Sequence, residues 1–377
     1  MLKKRIFIAV WCVIFVIPLV AMIFLNSFET PDLYYSFENS FENMLNNDTE
    51  LVSYGNMAFV DNAPKGKALH LQDGFLNVEG SNKFRIKDEF TFSSWIKFNS
   101  LDAKEPMILS RASSVGNPYS GPFAVFFSED YSSLNCTLSF KMKDGSVKTH
   151  TFENRNVFKP QRLMHRWHHV AVVFDKTYLC FYIDGELSST VVLPDELIQY
   201  KAIANTDRYF SVGRCIGTNM NAYLDEMYFY TYALDYDKMT ALYSSAKPQT
   251  QKEILLTSDL DTMRIGAETY TLPAKAFYDE KTAEFMVPAK AILAQIGATF
   301  SWDENDRMGR ADIKLGTSAL SLWAYDTHAL LNQNYYKLKT HPIIKDDIFF
   351  IPASVLADAF GADVEFKEAI SQLSIIY

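Results

Sequence analysis

The sequence predicts a mainly β protein: an antiparallel β-sandwich of jelly-roll type, then a small α+β domain of two repeats, preceded by an N-terminal transmembrane or signal helix. Three observations carry this expectation. Apolar and polar side chains alternate through residues 90–98, Asp-Gly pairs separate further alternating runs, and a motif near the C-terminus recurs 64 residues later. At 377 residues the chain exceeds one ordinary domain of roughly 100–200 residues, so two folded units are expected. With 48% hydrophobic and 21% charged residues it can bury real cores, which excludes global disorder. The balance of 36 basic against 45 acidic residues leaves a net charge of −9, and no basic run exceeds Lys3-Lys4-Arg5; nucleic acid is not an expected partner.

Those three basic residues precede an apolar stretch from Ile6 to Leu25, whose 20 residues at a rise of about 1.5 Å match the roughly 30 Å of bilayer hydrocarbon. Basic residues before it and Glu29, Asp32 and Glu38 after it put the N-terminus in the cytoplasm and the chain from Ser27 outside. The rival reading is a cleaved signal peptide ending near Pro18 to Ala21, where Leu19 is bulky for a cleavage site. Residues 1–27 are therefore an anchor or a signal peptide. The remainder is expected on the extracellular side of the membrane, or secreted to the cell wall. Of four cysteines, Cys12 lies in the apolar stretch and Cys136, Cys180 and Cys215 face the oxidising side. They form one bridge and a free thiol, or three buried thiols; no Cys-x-x-Cys pair is present.

From about Asp32 to Tyr243 the chain reads as short strands and turns. Phe90, Phe92, Ser94, Ile96 and Phe98 alternate with Thr91, Ser93, Trp95 and Lys97, the pattern of a strand with one face packed. Two hairpins are expected around Asp144-Gly145 and Asp184-Gly185, because Asp-Gly supplies the two positive-φ residues of a type I′ turn. Hardly a helical period appears over this span, so the strands form two packed antiparallel sheets.

The runs Tyr35 to Asn39, Gly66 to Leu71 and Phe90 to Lys97, then Trp167 to Asp175, Phe181 to Gly185, Val212 to Arg214 and Tyr223 to Phe229, resemble the laminin-G-like, concanavalin A-like jelly roll. The likeness covers residues 32–245. It implies a module that binds glycans or proteins, often with a structural calcium ion, and in some relatives a glycosidase. For calcium, the resemblance implies Asp225 before the last strand, with Glu38 approaching from the first; the alternative is an ordinary solvated or capping carboxylate.

Beyond a polar joint, Ser244 to Lys252, the run Phe285-Met286-Val287-Pro288-Ala289 leading to Gly297-Ala298 and Trp302-Asp303 recurs as Phe349-Phe350-Ile351-Pro352-Ala353, Gly361-Ala362 and Phe366-Lys367. Each copy reads as strand, short helix and strand, with Pro at the helix start and Gly at its end. Glu268 to Leu272 and Asn334 to Leu338 add a leading strand pair to each. Residues 253–377 resemble the copper amine oxidase N-terminal-like, or stalk, domain of Gram-positive surface proteins. That domain is a spacer, and with only His328 and His341 and no cysteine here, no copper site is expected.

His165, His168 and His169 suggest a metal site, but adjacent strand residues point to opposite faces, so they are expected to be packed or rim histidines. A glycosidase needs two carboxylates flanking the sugar bond. Asp225 and Glu226 are adjacent, hence expected on opposite faces, and no Glu-x-Asp-x-x-Glu follows. Two loops have the composition of a sugar-binding rim: one offers Arg111, Asn117 and Tyr119, the other Asn219, Asn221 and Tyr223, with rings to stack on sugars and amides to meet hydroxyls. Taken singly, each of these residues reads first as part of a plain surface turn. The sequence thus points to non-catalytic recognition of a cell-wall or extracellular polysaccharide; the alternatives are a protein-binding or structural envelope component and, third, a glycoside hydrolase.

Overall fold

The computed structural model describes residues 30–45, 49–61, 63–104, 106–111, 121–214, 219–246, 252–303, 306, 309–316 and 318–377. The expected anchor at 1–27, the thiol of Cys215 and the loop residues Asn117 and Tyr119 lie outside them. Among the described residues no helix is long and apolar enough to cross a membrane.

The first half of the chain runs β1 (Leu33–Tyr35), β2 (Glu50–Val60), β3 (Ala68–Glu79), β4 (Glu89–Phe98), β5 (Met107–Arg111), β6 (Phe123–Phe127), β7 (Leu134–Lys141) and β8 (Val147–Asn154). Then come α1 (Pro160–His165), β9 (His168–Asp175), β10 (Tyr178–Ile183), β11 (Glu186–Val192), β12 (Ala202–Ile203), β13 (Phe210–Val212), β14 (Asn221–Tyr230) and α2 (Tyr236–Ser245). The strands form one 14-stranded sheet in the order β11-β10-β9-β4-β14-β3-β13-β5-β6-β7-β12, with β1 on β14, β2 on β3 and β8 on β7. The sheet curls around a single apolar core, with Phe90 edge-on to Phe123 at 5.1 Å and Phe98 edge-on to Phe127 at 5.1 Å.

This corrects the expectation of two separate sheets, because β3 belongs to both layers. Its first half pairs with β14 through Leu69 to Gln72, its second with β13 through Leu76 to Val78. The bend between them needs glycine. A Cβ on Gly74 would lie 2.7 Å from the carbonyl oxygen of Asn56 and 2.8 Å from that of Tyr54, and facing Gly55 has φ 85° beside a register shift in β2.

On β4 both side-chain sets are buried, not one. Thr91, Ser93 and Trp95 face away from the main core yet are covered, because α2 lies on the outer face. Trp95 stacks on Tyr243 at 5.3 Å, and Met239 and Leu242 join Ala171, Val173, Tyr182, Tyr228 and Tyr230 in a second, smaller core. The helix has a clear start, since the Asp235 carboxylate accepts from the Lys238 N–H at 2.9 Å. Its apolar signal is only Met239 and Leu242, too little for a helical period to stand out.

Both hairpins form. Asp184 (φ 52°) and Gly185 (φ 83°) make the expected type I′ turn, whereas at the other only Gly145 (φ 88°) has positive φ. There the Gly145 N–H donates to the Met142 carbonyl and the Met142 N–H to the Ser146 carbonyl, a longer loop with a left-handed glycine. Cys136 is buried and Cys180 half-buried, both as free thiols.

The second half packs around its own core, from Ile254 to Ile375. Strand Glu284–Pro288, α3 (Ala289–Gln295) and strand Thr299–Trp302 form the first repeat; strand Ile348–Pro352, α4 (Ser354–Phe360) and strand Asp363–Lys367 form the second. The two repeats are hydrogen-bonded to each other through their first strands. Gly297 (φ 79°) and Gly361 (φ 69°) follow the helices in the left-handed conformation. Phe366, the departure from the Trp302 pattern, stacks on Tyr278 at 4.4 Å.

The two halves touch through α1 and α4. Arg162 and Arg166 both pair with Asp363, and Arg166 also donates to the Ile376 carbonyl. Gly361 rests on the backbone of Arg162.

Candidate functional site

Strand pairing assembles a row of side chains on the outer face of the sheet, beyond the area that α2 covers. Tyr223 on β14 is in register with His70 on β3 on one side and Lys97 on β4 on the other. Lys97 follows Ile96, which pairs with His168, so Trp167 stands at its far side. Neighbouring Leu69, Leu71, Ile96, Phe98, Ala222 and Leu224 point into the core, and that parity turns the row outward.

The row is tightly stacked. The His70 and Tyr223 rings lie 4.1 Å apart at 20°. The Lys97 ammonium is 4.8 Å from the Tyr223 ring centre and 5.4 Å from that of Trp167. Amides fringe it: the Asn221 side-chain oxygen is 3.0 Å from His70 Nε2, Gln72 Nε2 is 3.1 Å from His70 Nδ1, and the Tyr223 hydroxyl donates to Asn99 Oδ1 at 3.3 Å. Gln72 donating to Nδ1 leaves the His70 proton on Nε2. Burial lowers the His70 pKa, and the Lys97 charge adds to that against the Asn221 bond, so the ring is neutral at pH 7. Burial also lowers the Lys97 pKa and raises that of Tyr223.

Of the six rim residues expected from sequence, Asn221 and Tyr223 stand in this row. Asn219 is adjacent and donates to the Asp73 carbonyl at 3.2 Å. Arg111 is a correction: it ends β5 and is wholly buried. Its guanidinium donates to the carbonyls of Phe84 and Ser81 and lies 3.9 Å from the Phe210 ring, so it braces the core and reaches no ligand. The stacking role expected of Tyr223 is also revised, since His70 and Lys97 occupy its two ring faces. What the row offers outward is a fixed ammonium, a phenol and amides, with Trp167 at its end. Sequence reasoning missed His70, Gln72, Lys97, Asn99 and Trp167; the outward parity of Lys97 was visible, but which strand lay beside it was not.

The two expected calcium ligands meet at one turn. Asp225, wholly buried, accepts from the Lys65 N–H at 3.1 Å and the Glu226 N–H at 2.8 Å; Glu38 accepts from the Lys67 N–H at 3.1 Å. Gly66 lies between, and a Cβ there would fall 1.9 Å from Glu38 Oε1. Burial pushes Asp225 up to about 8, Glu226 and Glu38 adding to it while the two N–H groups oppose it. Among the described residues no three His, Cys, Asp or Glu side chains converge on one point. Two carboxylates with free lone pairs at a turn suit a hard cation only if carbonyls and water complete six or more oxygens.

A β-bulge after Asp225 gives Glu226 a φ of 45°. It brings both acids toward Lys65, Asp225 to its N–H and Glu226 to its ammonium at 3.4 Å, which corrects their expected placement on opposite faces. Glu226 also accepts from the Tyr34 and Tyr228 hydroxyls. With exposures of 0% and 1%, neither acid meets a substrate. Of the histidine cluster, His168 is bonded to Asp184 and His169 to Ser93, each at 2.8 Å, on opposite faces.

Residues 72–238 match the concanavalin A-like lectin/glucanases superfamily in its laminin-G type, and residues 250–375 match the copper amine oxidase N-terminal domain. A laminin-G-like lectin domain over residues 72–238 is thus followed by a copper amine oxidase N-terminal-like domain over residues 250–375. Among solved structures, domain 4 of AbnA, an extracellular GH43 arabinanase from Geobacillus stearothermophilus determined with arabinotriose, is 16% identical with a TM-score of 0.42, covering 57% of this chain and 98% of its own. The binding domain of botulinum neurotoxin DC, determined with rat synaptotagmin II, is 13% identical with a TM-score of 0.46, covering 92% of this chain and 98% of its own. Likenesses of this size carry no argument about function. No curated protein matches the chain.

Proposed function

We propose that the chain is a carbohydrate-binding protein displayed outside the cell, which holds a cell-wall or exopolysaccharide on the row Trp167, Lys97, Tyr223 and His70. In this reading residues 32–245 are the binding unit, residues 253–377 the stalk, and residues 1–27 the membrane anchor or signal. The observation that carries it is the half-exposed outer row itself, with a tryptophan, a phenol and three amides brought together on one face of the sheet. Polysaccharide pull-down with the full chain is the test. Trp167→Ala should weaken retention roughly 10-fold or more, as loss of a large aromatic contact does. Unchanged retention would remove the row as the site, and no retention of any glycan would remove the reading.

We further infer a structural calcium at the turn of Gly66, held by Asp225 and Glu38 with backbone oxygens. The ion would neutralise the acids that repel there and fix the turn against β14. Saturating calcium should therefore raise the thermal midpoint, by an amount equivalent to about 2.7 kcal/mol at a hundredfold excess over Kd. Asp225→Asn should abolish the rise, and a wild-type midpoint indifferent to calcium and to chelator would refute the site.

A further inference from the structure

Lys97 is the one charge in the row. Its stem is half-buried between Trp167 and Tyr223, whose ring faces hold the ammonium in place. Among the described residues no carboxylate pairs with it. Other lysines of this acidic chain do find one: Lys65 pairs with Glu226, Lys67 with Asp61, Lys176 with Glu89 and Lys238 with Asp235. Among the described residues the groups against Lys97 are the uncharged rings of Trp167 and Tyr223, with His70 stacked on Tyr223. A methionine would fill the same slot between the rings without the desolvation of a charge. A pinned, poorly hydrated cation is electrostatically poised for an anion that arrives with the ligand, because an ion pair formed there is strengthened by the low surrounding dielectric.

We propose that the ligand of this row is an acidic polysaccharide, whose uronate carboxylates pair with Lys97 while its hydroxyls meet Tyr223 and the flanking amides. The inference rests on the carbohydrate-binding reading and narrows it to a charge class. A chain with a net charge of −9 repels polyanions in general, so a local cation is what lets this face receive one.

The test is titration calorimetry of the full chain with polygalacturonate, alginate and hyaluronate, each beside its methyl ester, and with poly(glycerol phosphate) as a phosphate source of the same charge. The expected result is binding to at least one uronate polymer, at least tenfold weaker binding to its ester, and a tenfold or greater loss with Lys97→Met that Lys97→Arg largely restores. The thermal midpoint of the methionine variant should equal or exceed wild type, which separates lost binding from lost fold. Equal binding of acid and ester, or wild-type binding by Lys97→Met, overturns the inference and leaves the carbohydrate reading standing. Preference for poly(glycerol phosphate) over every uronate overturns the carboxylate assignment. Absence of binding to all polymers, neutral esters included, overturns both.

Discussion

Replacing Gly361 with alanine should undock the two halves of the chain and lower stability by roughly 2–5 kcal/mol. Two separate effects combine there. The residue sits at φ 69°, a left-handed conformation that costs a residue with a Cβ about 1–2 kcal/mol. A Cβ would also lie 2.7 Å from the Cα and 3.0 Å from the amide nitrogen of Arg162, and overpacking of this kind typically costs about 1–3 kcal/mol. Those atoms are backbone of α1 and cannot swing aside as a side-chain tip would, so relief requires α1 and α4 to separate. Separation removes Asp363 from Arg162 and Arg166, and Arg166, 9% exposed, would be left without its carboxylate. The measurement is small-angle scattering with calorimetry: the variant should show a larger radius of gyration and two thermal transitions. Gly297→Ala is the internal control, because that glycine has φ 79° but open space where a Cβ would go. It should lose only the conformational part and keep the wild-type radius. Equal behaviour of the two variants would mean that the α1–α4 contact does not hold the halves together.

The second large effect is acid instability centred on His169. The ring is wholly enclosed between Trp95 and Tyr243, with Nε2 on Ser93 and a pKa lowered to about 4, chiefly by burial, with Asp184 opposing. A folded-state value below the unfolded one, about 6.5, means that the neutral ring is favoured by folding. Its contribution is intact above about pH 6.5 and is lost as pH falls toward 4, amounting to roughly 3 kcal/mol. Denaturant midpoints between about pH 7 and pH 4.5 should decline in the wild type and decline less in His169→Gln, which keeps a hydrogen-bonding group for Ser93 without titrating. Parallel decline in both would show that carboxylates elsewhere, not this ring, set the acid limit.

Much of the fold was legible because strands and turns are written in local chemistry. Alternation at Phe90 to Phe98, the Asp184-Gly185 turn and the recurring Val/Ile-Pro and Gly-Ala pieces each state a preference that neighbours in the chain share. The misreadings arose where distant segments meet. Helix α2 was hidden because its few apolar residues matter only against the outer face of β4. Arg111 looked like a rim residue from its loop, yet the carbonyls and ring that hold it come from residues up to a hundred positions away. Asp225 and Glu226 were set on opposite faces by strand arithmetic, which a bulge overrode.

By itself the sequence determined the β class of the first half, the duplicated second half, and the composition of surfaces, since periodicity, glycine placement and charge are properties of short stretches. Which side chains become a site was decided only by tertiary structure. His70, Lys97, Trp167 and Tyr223 are scattered over more than 150 positions and become neighbours because β3, β14, β4 and β9 hydrogen-bond in one order and one register. A shift of one residue in that register would turn the same four side chains into the core.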